Sequence, residues 1–268
     1  MFHVKQFLKK QKIISIVNQK GGVGKTTTVV NLATACAVLH KKKILVIDLD
    51  PQGNTSTFLG FSQQDRDKTL YDFLVNDSTF EEVVNNTVIS NLKVITSNLD
   101  LSAAELDLGG FDDREFILKN KLNEINEEFD FIFIDCPPSL GLLTINALSC
   151  SDSLIIPMQC EFFSLEGLSH LINTIELVQE NLNEKLTING IILTMYDKRN
   201  KLTEQVEDDV RGVLGDKVYK NNIPRNIRLS EAPSHMMPAI VYDPRCSGSL
   251  AYLRMSKEFL TKEINHEK

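Results

Sequence analysis

No stretch of the 268-residue chain approaches the roughly 18 consecutive apolar residues that a membrane span requires. The opening MFHVKQFLKKQK is too short and too broken by lysine for a signal peptide, so a cytoplasmic protein is expected. The five cysteines, Cys36, Cys136, Cys150, Cys160 and Cys246, include no C-x-x-C pair. Their odd number, spacing and mostly apolar neighbourhoods argue against a disulfide framework or a zinc site and predict buried free thiols. Excess base is missing too: a net charge of −7 excludes a generally basic nucleic-acid coat and leaves room only for a local cationic patch. Internal repeats, low-complexity tracts and linkers are absent. At 42% hydrophobic, the chain therefore reads as one domain over residues 13–268 behind an N-terminal tail of residues 1–12. That tail mixes Phe2, Val4, Phe7 and Leu8 with lysines and reads as a solvated lead-in rather than a membrane-surface helix.

What the chain does contain is organised around IISIVNQKGGVGKTTT, residues 13–28. Ile13, Ile14, Ile16 and Val17 read as a buried strand, and Lys25-Thr26-Thr27 opens a helix. Between them Lys20, Gly21, Gly22, Val23 and Gly24 form a glycine-rich turn. Strand, glycine turn and Lys-Thr at a helix start make a phosphate-binding loop, because backbone N–H groups without an obstructing Cβ can close on an anion. Lys25 is then expected at the β- and γ-phosphates and the Thr26 hydroxyl at Mg²⁺. The usual first glycine of such a loop is replaced by Gln19, and a second lysine, Lys20, stands at the loop's start.

Two further segments end in carboxylates. Ile44–Ile47 is a continuous apolar run closing on Asp48 and Asp50, followed by PQGN. FDFIFIDCPPSL, residues 129–140, runs through four apolar residues into Asp135, the arrangement in which a strand-end carboxylate faces a Mg²⁺ shell. In open α/β sheets ligands bind at that edge. Helices are predicted at residues 26–39, 69–75, 79–85, 113–129, 164–182, 204–214 and 249–264. Strands are predicted at 92–96, 153–157, 190–195 and 218–223. This alternation implies an α/β fold, a mostly parallel β-sheet covered by helices on both faces. Lys198, Arg199, Lys201, Arg225 and Arg228 form the candidate cationic cluster.

KGGVGKTT resembles the deviant Walker A loop of the ParA/MinD superfamily of P-loop ATPases. The PQGN and CPPS segments resemble its two switch regions. IPRNIRLSEAPSH, residues 223–235, resembles chromosomal ParA proteins of the Soj type, and the likeness covers roughly residues 12–262. The resemblance implies a Mg²⁺-dependent partition ATPase with ATP as substrate. It implies nucleotide contacts from Lys20, Gly21, Gly22, Val23, Gly24, Lys25, Thr26 and Thr27, with Pro224 and Asn226 at the adenine. Thr26 would bind the metal directly and Asp135 through water, with Asp48 supporting the metal shell or the loop. Asp50 would position the attacking water, and Lys20 would reach the partner's ATP in a sandwich homodimer. Arg199 and Arg228 would belong to a surface that binds DNA without sequence preference, and a ParB-type protein would stimulate hydrolysis. Residence on the nucleoid in the cytoplasm follows. A start near residue 13 leads to the expectation of no helix-turn-helix extension. The competing reading is a MinD-like membrane-surface ATPase. Against it, the ending KEFLTKEINHEK lacks an apolar stripe beyond Phe259 and Leu260.

Overall fold

The computed structural model describes residues 11–162 and 164–266, so most of the N-terminal tail lies outside the described residues. Seven strands form one sheet: β1 (Lys12–Ile16), β2 (Ile44–Asp48), β3 (Val84–Asn86), β4 (Leu92–Ile95), β5 (Phe131–Asp135), β6 (Ser153–Gln159) and β7 (Thr187–Thr194). Their order is β3-β4-β2-β5-β1-β6-β7, parallel throughout except for the antiparallel edge strand β3. β2 and β5 are buried along their whole length, which is why they read as unbroken apolar runs. Successive residues serve opposite faces. Ile44, Val46, Phe131 and Phe133 pack with one layer of helices, and Leu45, Ile47, Ile132 and Ile134 pack with the other.

The first layer is built on α1 (Lys25–His40), α2 (Asn54–Phe58), α10 (Ile227–Glu231), α11 (Ala239–Tyr242) and α12 (Ser247–His266). The second holds α3 (Leu70–Leu74), α4 (Phe80–Val83), α5 (Leu101–Asp107), α6 (Ile117–Asn123), α7 (Leu142–Cys150), α8 (Ser164–Asn181) and α9 (Lys201–Leu214). α12 commits Tyr252, Met255 and Phe259 to the core, where the Phe259 ring lies 5.2 Å from Phe131 and 5.6 Å from Phe133. The aromatic that a membrane-facing C-terminal helix would present is therefore already buried. No helix of the described residues is long and apolar enough to cross a membrane.

Three of the predicted elements change in kind or lose much of their length, and α5 and α7 form where no helix was predicted. The helix predicted over 113–129 is only Ile117–Asn123, behind a short 3₁₀ turn. Asp113 takes a left-handed φ of 54°, and Asn146 and Ser149 of α7 capture the backbone carbonyls of Arg114 and Glu115. Its last apolar residue, Phe129, leads into β5 and packs edge-on against Phe80. The segment 79–85 ends its helix at Val83 and adds β3 to the sheet edge. Residues 218–223 touch β7 through one isolated bridge, Val218 with Ile191, and a second bridge, Pro224 with Tyr196, follows just beyond both, instead of a ladder. Glu258 pulls Lys220 N–H and the Asn221 side chain away at 2.8 Å each, so regular pairing cannot continue. In the last turns of α1, Val38 is 44% exposed.

Candidate functional site

Strand register brings the three sequence signals together. Asp135 pairs with Ile16 on one side and with Asp48 on the other, so both carboxylates stand beside the point where β1 becomes the glycine loop. That point lies between strands whose connections leave in opposite directions, where α/β sheets open a crevice.

The loop is anchored from outside. Asn18 Nδ2 donates to Pro157 O at 2.7 Å, Gln159 Nε2 to Gly22 O at 2.9 Å, and Thr194 Oγ1 to Val23 O at 2.8 Å. With the Gly22 and Val23 carbonyls held by β6 and β7 and Lys20 N–H donating to Asn18 Oδ1, the N–H groups from Gly21 to Lys25 are left for the inside of the turn. Gly22 (φ 74°) and Gly24 (φ 88°) occupy the left-handed region that side chains resist. Gly24 precedes α1 without a side-chain cap, which leaves the positive end of a 16-residue helix aimed into the turn. Such a concavity suits an anion. Lys25 is buried, its Nζ donating to Asn18 O at 3.0 Å and Lys20 O at 3.3 Å. Burial lowers its pKa, while the charges of Asp135 and Asp50 oppose that shift. Lys20 is half exposed and ion-paired with Glu161.

Behind the loop, Asp135 is wholly buried, and its Oδ2 accepts from Thr26 Oγ1 and Thr55 Oγ1, each at 2.7 Å. Its Oδ1 has no partner among the described residues. Burial pushes this carboxyl up to about 6, against the pull of the two hydroxyls. A buried carboxylate oxygen left unpaired is costly. A hydroxyl and a carboxylate with one free oxygen fit a hard, oxygen-seeking cation such as Mg²⁺. No group of three or more His, Cys, Asp or Glu side chains among the described residues could cage a metal. The fit is thus to an ion that keeps its waters and leans on a ligand's oxygens, as Mg²⁺ does. Asp48 faces elsewhere: its Oδ2 accepts from Ser56 N at 2.8 Å and Ser56 Oγ at 2.6 Å. Burial and the neighbouring Asp135 push it up to about 7. Asp50 is half-buried at the head of a turn that Gly53 N–H closes onto its carbonyl at 2.9 Å.

A cavity opens from Gly24 and Thr27 and is lined by Thr194, Met195, Pro224, Asn226, Leu229 and Tyr252. Pro224 and Asn226 thus reach the glycine loop from 200 residues away in the chain. The Asn226 side chain caps α10, accepting from Arg228 N at 2.9 Å and Leu229 N at 3.4 Å. Adjoining the cavity is a groove bearing Lys198, Arg199, Lys220, Arg225 and Arg254. Asp197 is the one carboxylate lining it, and it pairs with Arg199 at 2.7 Å. Arg228 is not in this groove; it pairs with Glu231 at 2.8 Å and Asp243 at 3.5 Å.

Sequence reasoning missed Thr55 and Ser56, although hydroxyls directly after PQGN at a helix start were a readable cue. It also missed Glu161, Lys220 and Arg254, for which no local pattern exists.

Comparison with known proteins agrees with this geometry. Residues 11–188 match the family described as AAA domain. The sporulation initiation inhibitor protein Soj of Bacillus subtilis is 52% identical over 92% of this chain and 97% of its own. The chromosome-partitioning ATPase Soj of Treponema pallidum is 46% identical over 94% of this chain and 98% of its own. Among solved structures, cobyrinic acid a,c-diamide synthase of Mycobacterium smegmatis with bound ADP and magnesium superposes with a TM-score of 0.82 at 31% identity, covering 94% of each chain. Identity at this level over nearly the full length leaves one assignment: the chain belongs to the Soj/ParA family of chromosome-partitioning ATPases.

Proposed function

We propose that this partition ATPase is an ATP-gated DNA binder: two chains sandwich two nucleotides, hold DNA without sequence preference, and let go on hydrolysis. In this reading the loop amides and Lys25 hold the β- and γ-phosphates, and Pro224 and Asn226 border the adenine. Thr26 holds Mg²⁺ directly and Asp135 holds it through water. When bound, the ion screens charge on the phosphate oxygens. Asp50 orients the attacking water, and Asp48 holds Ser56 and with it the loop that carries Asp50. Lys20 contacts the partner's nucleotide. To do so it must exchange Glu161 for a phosphate, a swap within reach because both side chains are half exposed.

The observation that carries the proposal is that Pro224 and Arg225 line both the cavity and the cationic groove. In this reading, those two residues carry a change in one to the other. In a chain of net charge −7, a groove with five cations and one carboxylate is the place a polyanion would be held. A second chain doubles that surface, so weak contacts add to firm binding. A ParB-type partner accelerates hydrolysis, and the ATP state resides on the nucleoid.

Duplex DNA binding measured with ATP, ADP and no nucleotide, beside a liposome pelleting assay, tests the reading. ATP-dependent binding to unrelated duplexes without pelleting is expected. Pelleting with lipid but no DNA binding would replace it with the membrane-surface reading.

A further inference from the structure

Apart from Lys25, the only buried cation among the described residues is Arg66, 6% exposed. It sits outside every motif and has no ion-pair partner among the described residues. A guanidinium taken out of water without a carboxylate is expensive to keep. Its contacts show what it holds. Nη1 donates to Ser97 O at 2.8 Å, and Nη2 donates to Thr57 Oγ1 at 2.6 Å and Phe61 O at 2.7 Å. Three separate segments are tied by one rigid fork: α2, the chain after it, and the chain just past β4.

The fork is also pressed against the turn that carries Asp50. A Cβ built on Gly53 would lie 2.1 Å from Arg66 Nη1 and 2.7 Å from Ser97 O, so the guanidinium fills the space a side chain would need. Gly53 has a left-handed φ of 62° and closes the turn onto Asp50 O. Ser97, held at its carbonyl by Arg66, donates its N–H to Ser56 Oγ at 2.9 Å, and Ser56 donates to Asp48. Asp48 Oδ1 in turn accepts from Asp50 N at 3.4 Å. Both ends of the Asp50 turn therefore rest on Arg66, one through Gly53 and the other through Ser97, Ser56 and Asp48.

We infer that Arg66 is a positioning residue for hydrolysis, a buried fork that fixes the turn bearing Asp50; this rests on Asp50 orienting the attacking water. The phosphates and adenine are bordered by other segments, so loss of Arg66 should spare nucleotide binding. Loss of alignment of about an ångström can lower a rate about 100-fold. Lysine retains the charge but lacks the planar fork that spans three acceptors.

The test compares Arg66→Met, Arg66→Lys, Gly53→Ala and Asp50→Asn in the full chain. Measured are ATP affinity, kcat, thermal midpoint and the ATP-bound oligomer by size-exclusion chromatography. Arg66→Met and Gly53→Ala are expected to bind ATP within about twofold of wild type, lose about 10- to 100-fold in kcat and accumulate the ATP-bound dimer. Arg66→Lys falls between. Adding Arg66→Met to Asp50→Asn should lower the residual rate no further, because the arginine acts through that carboxylate. A lowered midpoint with unchanged kcat per folded molecule would reduce Arg66 to a stability element and overturn the inference, as would additive losses in the double variant. Should Arg66→Met not fold, Arg66→Lys and Gly53→Ala decide. Asp50→Asn turning over normally would instead bring down the role given to Asp50, and the inference with it. An impaired Asp50→Asn beside normal Arg66 variants sinks the inference alone.

Discussion

Alanine at Arg199 or Arg254 will flatten the salt dependence of DNA binding while leaving the ATPase intact. Both side chains line the groove, and neither packs into a core cluster. The Arg199 side chain is 89% exposed, and its pairing with Asp197 is of the solvent-exposed kind that contributes little to folding. Arg254 is exposed on α12 with no ion pair among the described residues. In the proposed dimer each substitution removes two phosphate contacts. At about 0.9 released counterions per contact, the log–log salt slope falls by about 1.8. From about 50 to about 200 mM salt, wild-type affinity should therefore drop about twelvefold further than that of the variant. Fluorescence anisotropy on two unrelated duplexes, in the ATP state, reads this directly. The effect should match on both duplexes, because phosphate contacts carry no base information. ATP-driven dimerisation measured in parallel excludes misfolding. Unchanged slopes in both variants would refute the groove as the DNA surface, and a loss confined to one duplex would refute sequence independence. Arg228→Ala should give a smaller change, since Arg228 lies outside the groove and is paired with two carboxylates, Glu231 and Asp243.

Lys25→Ala should weaken ATP binding by about 100-fold, the scale of one charge-assisted bond to an anion, as equilibrium binding of labelled nucleotide will show; wild-type affinity would mean the loop has been misread. Lys20→Ala should retain ATP but fail to dimerise, whereas Glu161→Ala, which frees Lys20 from its ion pair, should dimerise at lower ATP concentration. Analytical ultracentrifugation across an ATP titration checks both, and parallel loss of ATP affinity in Lys20→Ala would confine that lysine to its own loop. A thiol reagent at neutral pH should modify one cysteine quickly, Cys246, which is only partly buried. The other four are buried, with Cys160 pushed up to about 11 and Cys150 to about 12 by desolvation, and should react only on unfolding; two or more fast thiols per native chain would contradict the packing.

The sequence by itself determined the phosphate cradle and the buried strands, which depend on neighbours along the chain. The Ile13–Val17 run, the GGVGKT turn and the helix after it form one contiguous unit, so their local chemistry sufficed to predict a phosphate cradle. The apolar runs ending in Asp48 and Asp135 likewise announced buried parallel strands, because a strand covered on both faces has no polar side. Only the tertiary structure decided which carboxylate has an unpaired oxygen. Asp48 and Asp135 look alike in sequence, but Ser56 satisfies Asp48 while Asp135 Oδ1 is left open. Residues 218–223 carry a strand-like pattern, but Glu258 diverts them, and that contact is set by how α12 docks. The cationic groove joins Arg199, Lys220 and Arg254 from three separate segments, and Arg66 acquires its role only by burial against Gly53. Periodicity and motif spacing report local geometry, whereas these pairings arise where packed elements bring distant residues within hydrogen-bond reach.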